Sequence, residues 1–464
     1  MRLARFLNEG RTTFLLAIPM MAGQAGQMLI GITDTTMVAR VGVYPLAAAA
    51  FAQNLIGFCF VTGLGLQIPI SILASQARGA GDPRTAGETL RHGLAIGICT
   101  GLGIALSLTT LSFFLSHFGQ DPEVVREAAP FLRIVAWSLL PTMIEVVMKQ
   151  FCDAMGRPSL PMTIVFGEVL LNIFLNWVLI FGNLGAPALG LTGAGIATLI
   201  ARTTAATTLA TIVLGSGFFR EYLPARWLIP IDWQRIGRML TLGVPISLSL
   251  LMEVAAFGTA ALMMGWISAQ TLAAHQIAIS CAAFTFMFPL GISMATRIRV
   301  GHARGAGERE RLPWIGFSSL ALAAVMMGTF ATVFLLFGNE LVGLFVKDPD
   351  VVALAASLLF VAAVFQIFDG LQVVGGGALN GLGDVRIPTA AAFVAYWIIA
   401  LPSAYVLAFK MGAGGEGIWW SLAAGLAAAS VFAITRFWWL TVREQCKGNA
   451  LDQGRAISQS SLGG

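Results

Sequence analysis

Six ionisable residues lie inside strongly apolar segments of the chain, and five of them are carboxylates with the chemistry to bind a cation. They are Asp34, Glu145, Glu168, Arg202, Glu253 and Asp369. A charge at the centre of a bilayer costs at least about 2.5–3.5 kcal/mol on insertion scales, so it is rarely kept without a partner or a function. Each is a candidate functional residue, against the alternative of a buried hydrogen-bonded or ion-paired group.

Asp34 belongs to a polar face of the first apolar segment. Gln24, Gln27, Gly31 and Asp34 are spaced three, four and three residues apart, so they share one face of a helix. A polar stripe on a spanning helix should face a cavity or another helix rather than lipid. We expect Asp34 to bind a coupling ion or a substrate, with Gln24 and Gln27 beside it along the pathway.

Glu253 and Asp369 lie near the middle of two later apolar segments, and Gln366 stands one turn before Asp369. Carboxylates from two helices, with hydroxyls and carbonyls nearby, could form an oxygen-ligand site for Na⁺. Alternatively, a carboxylate removed from water could bind H⁺, because desolvation disfavours its charged form. We therefore predict a coupling-ion site at Glu253 and Asp369, with Na⁺ as the possible metal, and place Gln366 on the substrate pathway.

Asn172 and Asn176 are four residues apart, so they share one face of the fifth apolar segment. They either cap kinked backbone or line a pathway, and both interpretations stay open here. For Glu145 and Glu168, which lie nearer one end of their segments, a structural role is favoured. Arg202 is available as an ion-pair partner, and a structural pair is also the favoured interpretation for it.

The elements that must position these residues are transmembrane helices. Apolar residues make up 57% of the 464 residues and charged residues 11%, whereas a soluble domain carries roughly 25% charged residues. Spanning a bilayer takes about 20 apolar residues, and backbone that faces lipid must be helical. The first block lacks a small-residue cleavage site, so we expect a retained helix rather than a signal peptide. The twelve predicted helices cover residues 12–38, 46–75, 90–116, 127–151, 159–182, 190–215, 239–266, 272–298, 312–338, 351–378, 388–410 and 416–440.

Basic residues are distributed unevenly between the two sides of the predicted helices. With the N-terminus inside, 22 of the 28 Lys and Arg residues fall on the cytoplasmic side and five on the outer side. Positive residues concentrate in cytoplasmic loops of membrane proteins, so both termini are predicted to be cytoplasmic in a multi-pass protein of the cell inner membrane. The net charge of +5 is then explained by topology rather than by nucleic acid as a partner.

The chain repeats itself at an offset of 226 residues. Pro19 pairs with Pro245, and the segment Ala77–Gly81 recurs unchanged as Ala303–Gly307. An even number of helices in each copy predicts two homologous six-helix bundles with the same orientation, related by an axis along the membrane normal. The predicted domains are an N-terminal lobe over 1–217, a cytoplasmic linker over 218–238, a C-terminal lobe over 239–442, and a polar, disordered cytoplasmic tail over 443–464.

The acids do not follow the repeat. At the offset of 226 residues, Glu253 corresponds to Gln27; later in the chain the offset is 227, and there Asp369 corresponds to Thr142. The fold is therefore duplicated while the ionisable sites have diverged, as expected if the two lobes have different tasks.

Several motifs agree in order and spacing with one known family. They are Ile32–Ala39, Leu46–Ala48, Ser75–Gly81, Asn172, Asn176, Gly190–Thr198, Gln366–Gly370 and Gly381–Pro388. Together they resemble the motifs of the MATE (multidrug and toxic compound extrusion) family, and in particular its NorM-like branch. The resemblance covers nearly the whole chain.

The resemblance implies a V-shaped pair of six-helix lobes with a central cleft, and an exporter of organic cations driven by inward Na⁺ or H⁺. Glu253 and Asp369 match the cation-binding acids of the NorM-like branch, and Asp34 matches the acid implicated in proton coupling and substrate contact. One residue departs from the pattern. The branch has a tyrosine four residues before the acid of the tenth helix, and Phe365 stands at that position, which places Na⁺ coordination in question.

The residues fit three candidate functions to different degrees. A secondary antiporter of cationic drugs fits an excess of intramembrane acids. A flippase of lipid-linked saccharides would need a cationic cavity for phosphate, yet Arg202 is the one clear mid-membrane base. A membrane-embedded enzyme finds no support, because the sequence has no HExxH motif, no phosphate loop and no metal spacing among His and Cys. We expect no cofactor beyond the coupling ion, cationic small molecules and membrane lipids as partners, and a monomer.

Overall fold

The computed structural model describes residues 2–224, 226–227 and 230–460, with side chains as far as Arg443. Twelve helices in this part are long and apolar enough to cross a membrane, as predicted. They are α1 (Arg2–Ala39), α2 (Val43–Gly79), α3 (Pro83–Leu111), α4 (Pro122–Ala154), α5 (Ser159–Phe181), α6 (Gly190–Gly215), α7 (Trp233–Ile267), α8 (Ala269–Gly305), α9 (Leu312–Gly343), α10 (Pro349–Gly381), α11 (Arg386–Lys410) and α12 (Gly414–Ser460). The all-α fold class is confirmed.

Three of these helices begin at an Asp-Pro pair. Asp82, Asp121 and Asp348 are the N-cap residues of α3, α4 and α10, and each carboxylate accepts a hydrogen bond from backbone N–H in the first turn. Proline follows each aspartate at the first helical position, where its fixed φ suits the helix and its missing N–H costs nothing. The Asp-Pro pairs therefore set where these helices start.

Most helices are longer than the apolar blocks that predicted them. The helix α1 begins at Arg2 rather than at residue 12, because its polar first turns contain no proline before Pro19. At the other end of the chain, α12 continues to Ser460, whereas the sequence predicted a disordered tail from residue 443; that prediction of disorder remains untested. That segment has no proline and several good helix formers. Residues 461–464 lie outside the described part.

The helix α11 is not a regular α-helix. Its middle and last turns, Val394–Ala400 and Val406–Lys410, are π-helical. Pro402 lies between them. A proline inside a helix removes one backbone hydrogen bond, and its ring clashes with the carbonyl group of the preceding turn. The local widening of the turns accommodates this loss.

The chain forms two compact units. Unit 1 contains Met1–Ile18, Ser75–Gly81 and Ala255–Gly464, and unit 2 contains Pro19–Ala74 and Asp82–Val254. In unit 2, α4 packs against α3 and α6, whereas in unit 1, α10 packs against α9 and α12. These pairs correspond under the sequence repeat, as expected for homologous six-helix bundles. The lobe boundaries drawn from the sequence stay a prediction.

The ends of α2 and α8 cross within unit 1 at the repeated motif. A Cβ atom on Gly79 would lie 2.0 Å from His302 O, and one on Gly305 would lie 2.0 Å from Gln76 O. Gln76 Nε2 also donates to Gly381 O of α10 at 3.0 Å. Each glycine therefore meets the carbonyl three residues before the other glycine, which explains why the motif is identical in both copies.

Candidate functional site

Asp34 lies near the end of α1, and its carboxylate is held by α5. Asn176 Nδ2 donates one hydrogen bond to Asp34 Oδ1 at 2.5 Å and another to Asn172 Oδ1 at 3.0 Å. Both asparagines are buried, whereas Asp34 is half-buried. Thr198 of α6 lies beside the same carboxylate, and its hydroxyl donates to Ala194 O at 2.9 Å. The two asparagines thus contact each other and an acid.

A second group of charged side chains lies next to Asp34 in unit 2. Glu145 of α4 is close enough to Glu168 of α5 to interact electrostatically, and both also interact with Lys149 of α4 and Arg202 of α6. Glu168 interacts in addition with Asp34. Both glutamates are buried. The acids for which the sequence favoured a structural role therefore belong to the same polar group as Asp34.

The two basic side chains of this group are fixed by neutral partners. Lys149 Nζ donates to Gln24 Oε1 of α1 at 2.8 Å, and Arg202 Nη1 donates to Ser138 Oγ of α4 at 2.8 Å. Because these hydrogen bonds are made to uncharged atoms, the positive charges stay available to the surrounding carboxylates. Gln24, predicted as a pathway residue, thus accepts a hydrogen bond from Lys149.

Helix periodicity explains why these residues meet. Each of three helices contributes polar residues at four-residue spacing, which places them on one face. The sets are Glu145 and Lys149 on α4, Glu168, Asn172 and Asn176 on α5, and Thr198 and Arg202 on α6. A Cβ on Gly193 would lie 2.4 Å from Leu179 O, so this glycine lets α6 approach α5 closely and brings their polar faces together.

In unit 1, Asp369 lies on a buried face of α10 with Gln366 one turn before it. Thr285 Oγ1 of α8 donates to Gln366 Oε1 at 2.9 Å. Gln366 is 1% exposed and Asp369 is 6% exposed. The predicted coupling-ion acid of α10 is thus deeply buried beside an amide that is itself oriented by a hydroxyl.

Phe365 occupies the position at which the resemblance implies a tyrosine. Its ring packs edge-on against Phe257 and Trp419, with ring centroids 6.0 Å and 5.2 Å apart. The side chain is buried. An aromatic contact therefore replaces the oxygen ligand that a tyrosine would offer near Asp369.

Two of the predicted residues are less enclosed. Glu253 is half-buried on α7, and Gln27 is exposed on α1. Glu253 belongs to unit 2 and Asp369 to unit 1, so their pairing at one cation site, with Na⁺ as the possible ion, stays a prediction. Among the described residues, no group of three or more His, Cys, Asp or Glu side chains is arranged to hold a metal ion.

Sequence reasoning missed three contributors to these polar groups. Lys149 was counted with the basic residues of the cytoplasmic side, although its four-residue spacing from Glu145 indicated a shared face. Thr198 shares a face with Arg202 in the same way. Thr285 gave no such signal, because a threonine in an apolar helix usually donates to the carbonyl one turn before it.

The family model described as MatE matches residues 19–178 and 245–406 of the chain. The "Probable multidrug resistance protein NorM" of Mesorhizobium japonicum is 37% identical over 437 residues, which is 93% of this chain and 94% of that protein. The "Multidrug resistance protein NorM" of Burkholderia vietnamiensis is 35% identical over 92% of this chain and 93% of that protein.

Solved structures share the fold. A MATE protein in the bent conformation superposes with a TM-score of 0.87 at 18% identity, covering 96% of this chain and 98% of that one. A eukaryotic MATE transporter gives a TM-score of 0.84 at 21% identity, covering 96% and 99%. A MOP superfamily transporter from Pyrococcus furiosus, described as having a binding pocket of reverse polarity, gives 0.85 at 20% identity, covering 94% and 97%.

Proposed function

Because the chain belongs to the MATE family, whose members are transporters rather than enzymes, we propose that it is a secondary active antiporter that exports cationic or amphipathic drugs. Inward movement of Na⁺ or H⁺ drives the export, and access to the site alternates between the two sides of the membrane. Its substrates are small organic cations. The NorM relatives named above carry multidrug resistance in their names, and this chain matches them over nearly its whole length.

One observation carries the proposal. Asp34, Glu253 and Asp369 all lie within membrane-length helices and within the two segments that the MatE family model matches. Carboxylates are costly in hydrocarbon, so their retention in such helices marks ion or substrate pathways. Of the six ionisable residues inside the apolar segments, five are acids and Arg202 is the one base, which favours a cationic cargo.

The coupling acids act through differential affinity. An ion shifts the balance between two conformations only by as much as it binds one of them better than the other. Asp34 is the acid proposed to exchange a proton for a cationic substrate, and the hydrogen bond from Asn176, which fixes its carboxylate, supports this role. Glu253 and Asp369 are the acids proposed to bind Na⁺ or H⁺.

The same proposal covers location and assembly. The protein is a multi-pass membrane protein, and we place it in the bacterial inner membrane with both termini in the cytoplasm. The excess of Lys and Arg on one side supports this orientation. We expect it to work as a monomer among membrane lipids, without nucleic acid as a partner.

Efflux of a fluorescent organic cation from reconstituted vesicles tests the function, with a pH gradient or a Na⁺ gradient imposed separately. We expect one gradient to drive efflux, and Asp369→Asn and Glu253→Gln each to lower its rate at least tenfold. The matched controls are Asp350→Asn on the exposed start of α10 and Glu340→Gln on the exposed end of α9. Both should transport normally.

Normal efflux by both Asp369→Asn and Glu253→Gln would refute the site assignment. Failure of the wild-type protein to export when each of the two gradients is imposed in turn would refute antiport.

A lipid-linked saccharide flippase is the alternative, because a solved structure of this fold has a pocket of reverse polarity. The fold alone therefore does not determine the charge of the cargo. Lys149 and Arg202 are the bases of the polar group in unit 2, and each interacts with several carboxylates. A phosphate-bearing cargo would meet those acids, so the cationic cargo is favoured.

A further inference from the structure

The charged group of unit 2 contains one carboxylate in excess. Glu145 and Glu168 both interact with Lys149 and Arg202. Asp34 interacts with Arg202 and with Glu168. Among the described residues, this group therefore has three acids and two bases. Full ionisation would leave a net negative charge in a buried site. Taking an unpaired charge out of water is costly, whereas a single bound proton makes the group neutral.

One face of α5 carries three buried polar atoms that have no hydrogen-bond partner in the described part of the chain. They are Glu168 Oε2, Asn172 Nδ2 and Asn176 Oδ1. The three residues are at most 6% exposed, and their spacing spreads them over about 12 Å along the helix. Buried polar atoms are seldom left unpaired, and those that are commonly bind water or an ion.

We propose that Glu145 and Glu168 form a second proton-binding site, coupled to Asp34 through the shared positive charge of Arg202. One proton from water converts one of the two carboxylates to a neutral carboxylic acid, which removes the repulsion between the two acids. When the site empties, that proton returns to water. The residues involved lie outside the Glu253 and Asp369 site.

The coupling follows from the position of Arg202. Its guanidinium interacts with Asp34, Glu145 and Glu168. When Asp34 becomes neutral, the positive charge is no longer shared with it and favours ionisation of the glutamate pair instead. Proton uptake at Asp34 therefore promotes proton release from the pair.

The physiological use of this site rests on the proposed antiport, but its existence is tested without transport. Infrared difference spectroscopy of the purified protein in lipid follows the C=O band of protonated carboxyl groups during a pH titration. Glu145→Gln and Glu168→Gln should each remove the band of one buried carboxylic acid that the wild type shows. Glu340→Gln, an exposed control on α9, should leave that band unchanged.

The coupling to Asp34 is tested in the same titration. Arg202→Gln removes the opposing charge, so the pair should bind its proton at least about tenfold more tightly. Asp34→Asn should have the opposite effect, because Arg202 then compensates the pair alone. Addition of Na⁺ at constant pH should leave the band unchanged.

The proposal is overturned if wild type, Glu145→Gln and Glu168→Gln give identical spectra, or if Na⁺ abolishes the band and thereby assigns the site to a metal cation. Each variant is checked for monodisperse elution, and either glutamine variant is sufficient on its own. A protein that fails to export drugs but shows the band refutes antiport alone, whereas active export without the band refutes the second proton site alone.

Discussion

One amide group is shared between the Asp34 carboxylate and Asn172. Asn176 Nδ2 donates both to Asp34 and to Asn172, so one NH₂ group serves two acceptors. Asn176 is completely buried, and water cannot easily replace its donors. A buried acceptor that loses its donor costs about 1–3 kcal/mol, which makes Asn176 the residue that holds the polar face of α5 against α1.

We therefore expect Asn176→Ala to lower the melting temperature of the detergent-solubilised protein by several degrees. The reason is that Asp34 and Asn172 both lose a donor, at a cost of about 1–3 kcal/mol. Asn8→Ala makes the same change at an exposed position of α1 and should melt like the wild type. Equal melting temperatures for the two variants would contradict the role given to Asn176.

Among the helices, α2 and α8 cross at the motif that the sequence repeats unchanged. Gly79 and Gly305 each face a backbone carbonyl of the other helix at a distance that leaves no room for a Cβ. Because backbone atoms cannot rotate away as a side chain can, any larger residue must separate the helices. The repeated motif is therefore a close helix contact built from both copies of the repeat.

Gly305→Ala should consequently destabilise the protein, although alanine is the better helix former by about 1 kcal/mol. Thermal unfolding followed by tryptophan fluorescence should show a clear loss of stability. Gly328→Ala on α9, where a Cβ meets no atom within 4 Å, should be neutral or slightly stabilising. Comparable stability of the two variants would show that α2 and α8 do not cross this closely.

For the molecule as a whole, the start of α1 is fastened by ion pairs within unit 1. Glu9 pairs with Arg299 of α8, whose guanidinium also donates to Thr13 Oγ1 at 2.5 Å, and with Arg311 at 3.0 Å. The side chains of Glu9 and Arg299 are 7% and 9% exposed. The first turns of α1 belong to unit 1, whereas α1 from Pro19 onward belongs to unit 2, so this one helix contributes to both units.

Loss of the Glu9 carboxylate should be among the most damaging single changes outside the polar sites. Glu9→Gln leaves Arg299 buried without its counter-charge, and breaking a buried pair in this way costs up to about 3–5 kcal/mol. We expect a large drop in melting temperature, against none for the exposed control Glu340→Gln. A melting temperature close to that of the wild type would mean that the ion pair contributes little.

The amino-acid pattern was sufficient for the number and type of helices. Apolar blocks about 20 residues long can only become spanning helices, and the repeat identified two homologous bundles. The same cost of charge in hydrocarbon made Asp34 and Asp369 visible as candidates. Helix periodicity placed Asn172 and Asn176 on one face, because neighbours within a helix are fixed by its geometry.

Contacts between helices were beyond the reach of that pattern. Glu9 lies before the first apolar block, so the local sequence did not predict a buried ion pair with Arg299, which is 290 residues away. Two contacts depend on how α1, α4, α5 and α6 are rotated and how closely they pack. They are the hydrogen bond from Asn176 to Asp34 and the position of Arg202 among three carboxylates. Those angles and distances follow from side-chain packing across the bundle, and packing is a property of the folded chain rather than of any segment within it.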